Sequence, residues 1–94
     1  MNKVEELVAI AVLGKQVEIF LESRVGSYLM QKASKEEVEA LNRLRTVAAT
    51  DRVAITHLQN MAWRASSIKD WLSEAVIAGL SATAVLDDRD EGNE

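Results

Sequence analysis

The chain contains no cysteine, no proline, four glycines and a single histidine in 94 residues. Without cysteine there can be no disulfide and no thiolate metal site. With His57 the sole imidazole, a histidine cluster is excluded too. So little glycine and proline leaves scant material for the turns of a loop-rich or β-rich fold. No apolar run approaches the ~18–20 residues that a membrane-spanning helix needs. The opening Met1-Asn2-Lys3-Val4-Glu5-Glu6 places acids ahead of an apolar stretch that Lys15 interrupts, unlike a secretory signal. The expectation is a cytoplasmic protein with no membrane contact.

A chain of this length forms one domain at most and buries a modest share of its surface. Disulfides, metals or association with other chains commonly make up the difference. Here association, or unusually good helix packing, is what remains. The abundant residues are Ala, Leu, Glu, Lys, Arg and Val, a helical composition. The net charge of −4 is unevenly spread. Residues 1–82 balance, and the excess lies in Asp87-Asp88-Arg89-Asp90-Glu91-Gly92-Asn93-Glu94. A neutral body with an acidic end is a poor footprint for nucleic acid, which selects a net basic face.

Apolar periodicity predicts three helices. Asn2 is placed to cap the first, with Glu5 and Glu6 in its first turn, where the helix dipole favours acids. Its apolar positions are Val4, Leu7, Val8, Ala11, Val17, Phe20 and Leu21, and Ile10, Val12 and Leu13 widen the stripe. A helix so apolar is normally covered on more than one side. It is expected to end near Glu22, with a tight bend at 22–26 and Ser23 capping the next helix. Val25, Tyr28, Leu29, Met30, Ala33, Ala40, Leu44 and Val47, with Val38 and Leu41 alongside, carry one helix over about 24–47. Ser34-Lys35-Glu36-Glu37 resembles a capping box, so a fresh start at Ser34 is the alternative. Lys35–Glu39 and Glu39–Arg43 are candidate exposed ion pairs at i,i+4.

Asp51 or Thr50 caps the third helix. Its seam reads Ala54, Leu58, Met61, Ala65, Ile68, Leu72, Ala75, Gly79, Ala82, Leu86, apolar or small at every step, which predicts coiled-coil-like packing. The fold expected is all-α: three helices, the second and third in a long antiparallel hairpin. The single helical domain should cover 1–83, with 84–94 an acidic disordered tail. The second helix is too short to cover the third. The first helix or another subunit would cover the rest, and Ala75, Ala78, Gly79 and Ala82 would allow a close approach there.

Catalytic constellations are missing. His57 has Asp51, Thr56 and Asn60 near it in sequence, which makes no nucleophile–base–orienter set. Glu36, Glu37 and Glu39 lack the facing Glu motifs or Glu-x-x-His pairs of di-metal helical bundles, and a solvated face explains them. Arg43, Arg45, Arg52 and Arg64 form at most a small basic patch, with no phosphate-binding glycine loop. No catalytic, cofactor or metal residue is assigned. The candidate interface residues are Met61, Ala65, Ile68, Leu72, Ala75 and Gly79 as seam. Trp63 and Trp71 flank it as anchors, since tryptophan is enriched in binding hot spots.

The run from Val17 to Leu29, with Leu58-Gln59-Asn60 and Asp70-Trp71-Leu72-Ser73-Glu74-Ala75-Val76-Ile77-Ala78-Gly79, resembles a family of short tailed-bacteriophage proteins over about residues 15–82. The shared segments are not a catalytic signature, and the family has no established activity. The resemblance implies an accessory of virion assembly or DNA packaging in the host cytoplasm or the virion. The combined expectation is a non-enzymatic helical interaction protein that forms a homo-oligomer. A small phage-encoded inhibitor of a host protein, acting through the tryptophan flank or the acidic tail, is the alternative. A DNA-binding packaging component is a third reading.

Overall fold

The computed structural model describes residues 2–92, with only the backbone of Glu91 and Gly92. The fold is all-α, with helices α1 (Lys3–Glu22), α2 (Arg24–Thr46) and α3 (Arg52–Gly92). Each starts where a side chain can satisfy free amides. The Glu5 amide donates to Asn2 Oδ1 at 2.8 Å, and the Asn2 amide donates back to the Glu5 carboxylate, a complete capping box. Ser23 accepts from the Gly26 amide at 3.0 Å to start α2. Asp51 accepts from the Ala54 amide at 3.1 Å to start α3. α2 runs unbroken through Ser34, so the continuous helix is the one that forms. The i,i+4 periodicity there outweighs the local capping motif.

α1 and α2 together form one arm of a hairpin and α3 forms the other. Gly14 lies against Gly79, Glu36 reaches Arg64, and Glu37 reaches Lys69. α1 therefore lies along the C-terminal part of α3, and α2 along its N-terminal part. The 20 and 23 residues of the first arm span about 65 Å and the 41 of α3 about 62 Å, at the usual helical rise. The molecule is a rod of 65 × 28 × 20 Å. Its radius of gyration is 18.9 Å, where a compact chain of this length would have about 12 Å.

The two arms meet along heptad seams. On α3 all ten predicted seam positions are buried or half-buried. They are matched by Leu7, Ala11, Gly14, Glu18 and Leu21 on α1, and by Gly26, Met30, Ala33, Glu37, Ala40, Leu44 and Val47 on α2. Spacing alternates four and three within each helix, but the step from Leu21 to Gly26 is five. The break at Ser23 absorbs that extra residue. An uninterrupted helix would carry it as a register error that turned one segment's seam away from α3. Ser23 is extended (φ −71°, ψ 162°). Its hydroxyl donates to the Phe20 carbonyl while accepting from Gly26.

α3 continues as helix through residues 84–90, where the acidic composition leads one to expect disorder. Ala82 is buried and Leu86 half-buried, so the seam still holds this stretch, and no glycine interrupts it before Gly92. The last two residues, 93 and 94, lie outside the described ones.

Candidate functional site

The two halves of the rod are built differently. In the hairpin half (α2 with the start of α3), Ala33, Ala40 and Ala65 fill the seam and are essentially inaccessible. Two ion pairs brace its edges. Arg64 meets Glu36 at 3.2 Å on one broad face, and Lys69 meets Glu37 at 3.0 Å on the other. The Lys69 ammonium hydrogen-bonds the Glu37 carboxylate and attracts it, and with a smaller contribution from Ser66 it holds that carboxyl below its usual range against partial burial. The anticipated i,i+4 pairs are replaced by these contacts between the arms.

In the terminal half (α1 with residues 70–92), the arms touch backbone to backbone. A Cβ placed on Gly14 would lie 2.7 Å from the Gly79 Cα and 2.8 Å from the Ala75 carbonyl oxygen. Gly14, which sequence propensity marks as a flaw in α1, is what permits the contact. α1 thus takes up the small-residue stretch of α3. Met61, Ala65, Ile68, Leu72, Ala75 and Gly79 all lie on the seam between the chain's own arms, and Ala78 remains exposed. Of the anticipated interface residues, only Trp63 (69% exposed) and Trp71 (62%) face outward.

A single chain leaves this half unfinished. Among the described residues Leu58, in the hairpin half, is the one large side chain that is buried, and sixteen large apolar ones are exposed. Ten of the sixteen are in the terminal half, including Val8, Val12, Leu13, Trp71, Ile77 and Leu80. The accessible surface is 7090 Å². A compact protein of 10.4 kDa would expose about 5,400 Å², so the chain shows about 1,700 Å² more.

Helical spacing assigns these side chains to the two broad faces. Trp71, Ala78 and Val85 follow Arg64 at intervals of seven and share its face. Val76 and Thr83 follow Lys69 in the same way. With Leu80 they line a groove whose other wall is Ala11, Lys15 and Glu18 of α1. The opposite edge of α1, with Ile10, Leu13, Val17 and Phe20, therefore lies on the Arg64 face. That face is apolar without interruption on α1, whereas the Lys69 face is broken by Lys15 and Glu18, paired at 3.4 Å. Ile10, Leu13, Val17, Phe20, Ala78 and Val85 are the surface residues that the seam analysis missed as a group. The signal for them was present in the breadth of α1's apolar stripe, too wide for one partner helix.

His57 is exposed beside Arg52, Thr56 and Asn60. No three of the metal-binding residue types converge among the described residues. No described helix is long and apolar enough to cross a membrane. The ends of the rod differ in charge: Arg43, Arg45 and Arg52 lie near the hairpin turn, while Glu5, Glu6, Asp87, Asp88 and Asp90 gather at the terminal end. Compared with known proteins, the chain matches no protein-family model, no curated protein and no solved structure.

Proposed function

We propose that this chain is a non-enzymatic helical interaction protein that associates with itself through the apolar faces of its terminal half. The observation that carries this reading is the exposed surface. The excess of about 1,700 Å² is twice the ~800 Å² per partner buried in an ordinary stable interface. The exposed large apolar side chains are concentrated in the terminal half, which holds ten of the sixteen, where two apolar helices lie side by side. Contiguous exposed apolar side chains on two neighbouring helices mark an interaction site. The non-catalytic reading draws on His57, the sole histidine, which lies exposed beside Arg52, Thr56 and Asn60 without a nucleophile–base–orienter set.

In this reading the protein serves as an accessory in assembling or packaging a tailed phage, in the host cytoplasm or on the virion. That placement rests on the resemblance of residues 15–82 alone. The alternative, a small inhibitor of a host protein, draws on Trp63, which points directly away from the seam and is not on either face that a second copy would cover first.

Light scattering coupled to size-exclusion chromatography over a concentration series tests self-association. The expected result is a discrete dimer or larger oligomer at micromolar concentration. A monomer at every concentration contradicts the reading and shifts the weight to a foreign partner.

A further inference from the structure

The apolar pattern on the Arg64 face is symmetric along the rod. On α1 it reads Ile10, Leu13, Val17, Phe20, with the same spacing in either direction and its midpoint at residue 15. On α3 the positions that follow Arg64 by sevens read Trp71, Ala78, Val85, with their midpoint at Ala78, and the polar Glu74 and Ser81 lie at the outer edge of this stripe. The two midpoints lie at the same level, because Gly14 sits against Gly79 in antiparallel helices. Two arms whose patterns share one centre match a twofold axis across the rod at that point. Such an axis sets each arm against its own copy running the opposite way, as an isologous interface requires.

We infer that two copies of this chain pair face to face and antiparallel through the Arg64 face, with the axis over the Gly14–Gly79 crossing. The inference rests on the self-association reading and adds its surface and direction. In this pairing Phe20 lies over Ile10 of the second copy, Leu13 over Val17, and Trp71 over Val85, large against medium at each level. Ala78 meets Ala78 on the axis, where a small residue lets α3 approach α3. The product is a four-helix layer pair with the terminal halves inside.

Charge selects the same direction. In an antiparallel pair Asp88, on the Arg64 side of α3, comes within about a helical turn of Arg64 of the second copy. A parallel face-to-face pair would instead set α1 over α3 of the second copy and bring Glu6 level with Asp87 and Asp88, and like charges across an interface are a strong barrier to the wrong arrangement. The Arg64 face is preferred over the Lys69 face because only the latter carries charged side chains in the middle of its α1 stripe.

The absence of native cysteine makes the test clean. Disulfides form only when Cβ atoms come within about 3.5–4.5 Å. Ala78→Cys, Val85→Cys and Trp71→Cys proteins, each checked for wild-type helicity by circular dichroism and for mass by light scattering, are oxidised alone and in mixtures. Ala78 and Val85 are exposed, and both substitutions are small. The expected result is a covalent dimer from Ala78→Cys alone, none from Val85→Cys alone, and a cross-linked heterodimer from Val85→Cys mixed with Trp71→Cys. Self-linking of Val85→Cys as fast as Ala78→Cys overturns the antiparallel direction. A dimeric protein in which none of these combinations links overturns the choice of face and leaves self-association standing. A monomer by light scattering overturns both.

Discussion

Around Ala33, Ala40 and Ala65 the two arms are zipped by alanines and braced at both edges by ion pairs, and the outer surface carries lysine, glutamate and arginine among six exposed large apolar side chains, against ten in the other half. Around Gly14 and Gly79 the arms meet with no side chain between them, and the outer surface is mostly aliphatic and aromatic on the Arg64 face and aliphatic, interrupted by Lys15 and Glu18, on the Lys69 face. The same hairpin geometry thus supports a half with charged edges and a half whose large apolar side chains are left facing outward. Small residues on a seam bring helices close but bury little apolar area per residue, because alanine and glycine have little to bury. In the hairpin half Leu58, buried on the seam, offsets part of the deficit, and the two partly exposed ion pairs add little. In the terminal half it is left to the large side chains pushed outward, which become useful only when something covers them.

The junction that separates the halves is the place to break the comparison most severely. A Cβ on Gly26 would run into the backbone carbonyl of Phe20. Gly26→Ala should force the bend at Ser23 open, disturb the one-residue register step, and loosen α1 from α3. The cost expected is at or above the top of the usual ~1–3 kcal/mol for overpacking, because the obstacle is backbone. Thermal denaturation followed by circular dichroism measures it, and a melting temperature equal to wild type would contradict the role given to the junction. Gly79→Ala attacks the terminal half alone. Its Cβ would lie 2.8 Å from the Gly14 Cα, so α1 and α3 must move apart, at a cost of about 2–3 kcal/mol. Proteolysis should then cut α1 sooner than α2.

Trp71 and Trp63 sharpen the comparison at the surface. Both are exposed to a similar extent, but Trp71 belongs to the apolar face of the terminal half and Trp63 faces away from the seam in the hairpin half. Trp71→Ala should weaken dimerisation by about 2 kcal/mol, near 30-fold, as removal of a central aromatic anchor does. Trp63→Ala should leave the dimer unchanged. Sedimentation equilibrium on the two variants decides this, and equal effects would remove the distinction between the halves.

The smallest effect belongs to the ion pair that holds Glu37. Its carboxyl titrates below the ordinary carboxylate range in the folded chain, chiefly through the hydrogen bond and attraction of Lys69. A group with a lowered folded pKa adds stability that is present above its unfolded pKa and lost as pH falls through the folded one. The acid arm of the stability profile should therefore carry a Glu37 contribution lost below the ordinary carboxylate range. Glu37→Gln should flatten that arm and leave stability near neutral pH slightly reduced. An unchanged acid profile in the variant would show that the pair is not formed in solution.

Much of the fold was legible because its signals are local and repeated. Asn2, Ser23 and Asp51 are capping residues in front of periodic segments, and the ten-position seam of α3 has one regular spacing. What was hidden is relational. The shortness of the second helix left the first helix or another subunit to cover the rest of the third, and nothing in α1 alone says which of the two it is. That depends on Gly14 finding Gly79, two residues sixty-five positions apart whose shared property is the lack of a side chain. The candidate surface was half legible for the same reason. Trp63 and Trp71 are conspicuous by type, whereas Leu13, Phe20 and Ala78 gain meaning only once α1 and α3 share a face. The acidic end misled because composition reports solvation, and the seam positions Ala82 and Leu86 kept α3 helical.

The measurement that bears most directly on the difference between the halves is amide hydrogen exchange read by mass spectrometry across a concentration series. If a second copy completes the terminal half, protection of residues 7–22 and 70–86 should rise with protein concentration while that of residues 30–45 and 54–68 stays constant. Protection that is independent of concentration in both halves, in a protein that remains folded, would contradict the claim that the terminal half is unfinished in the single chain.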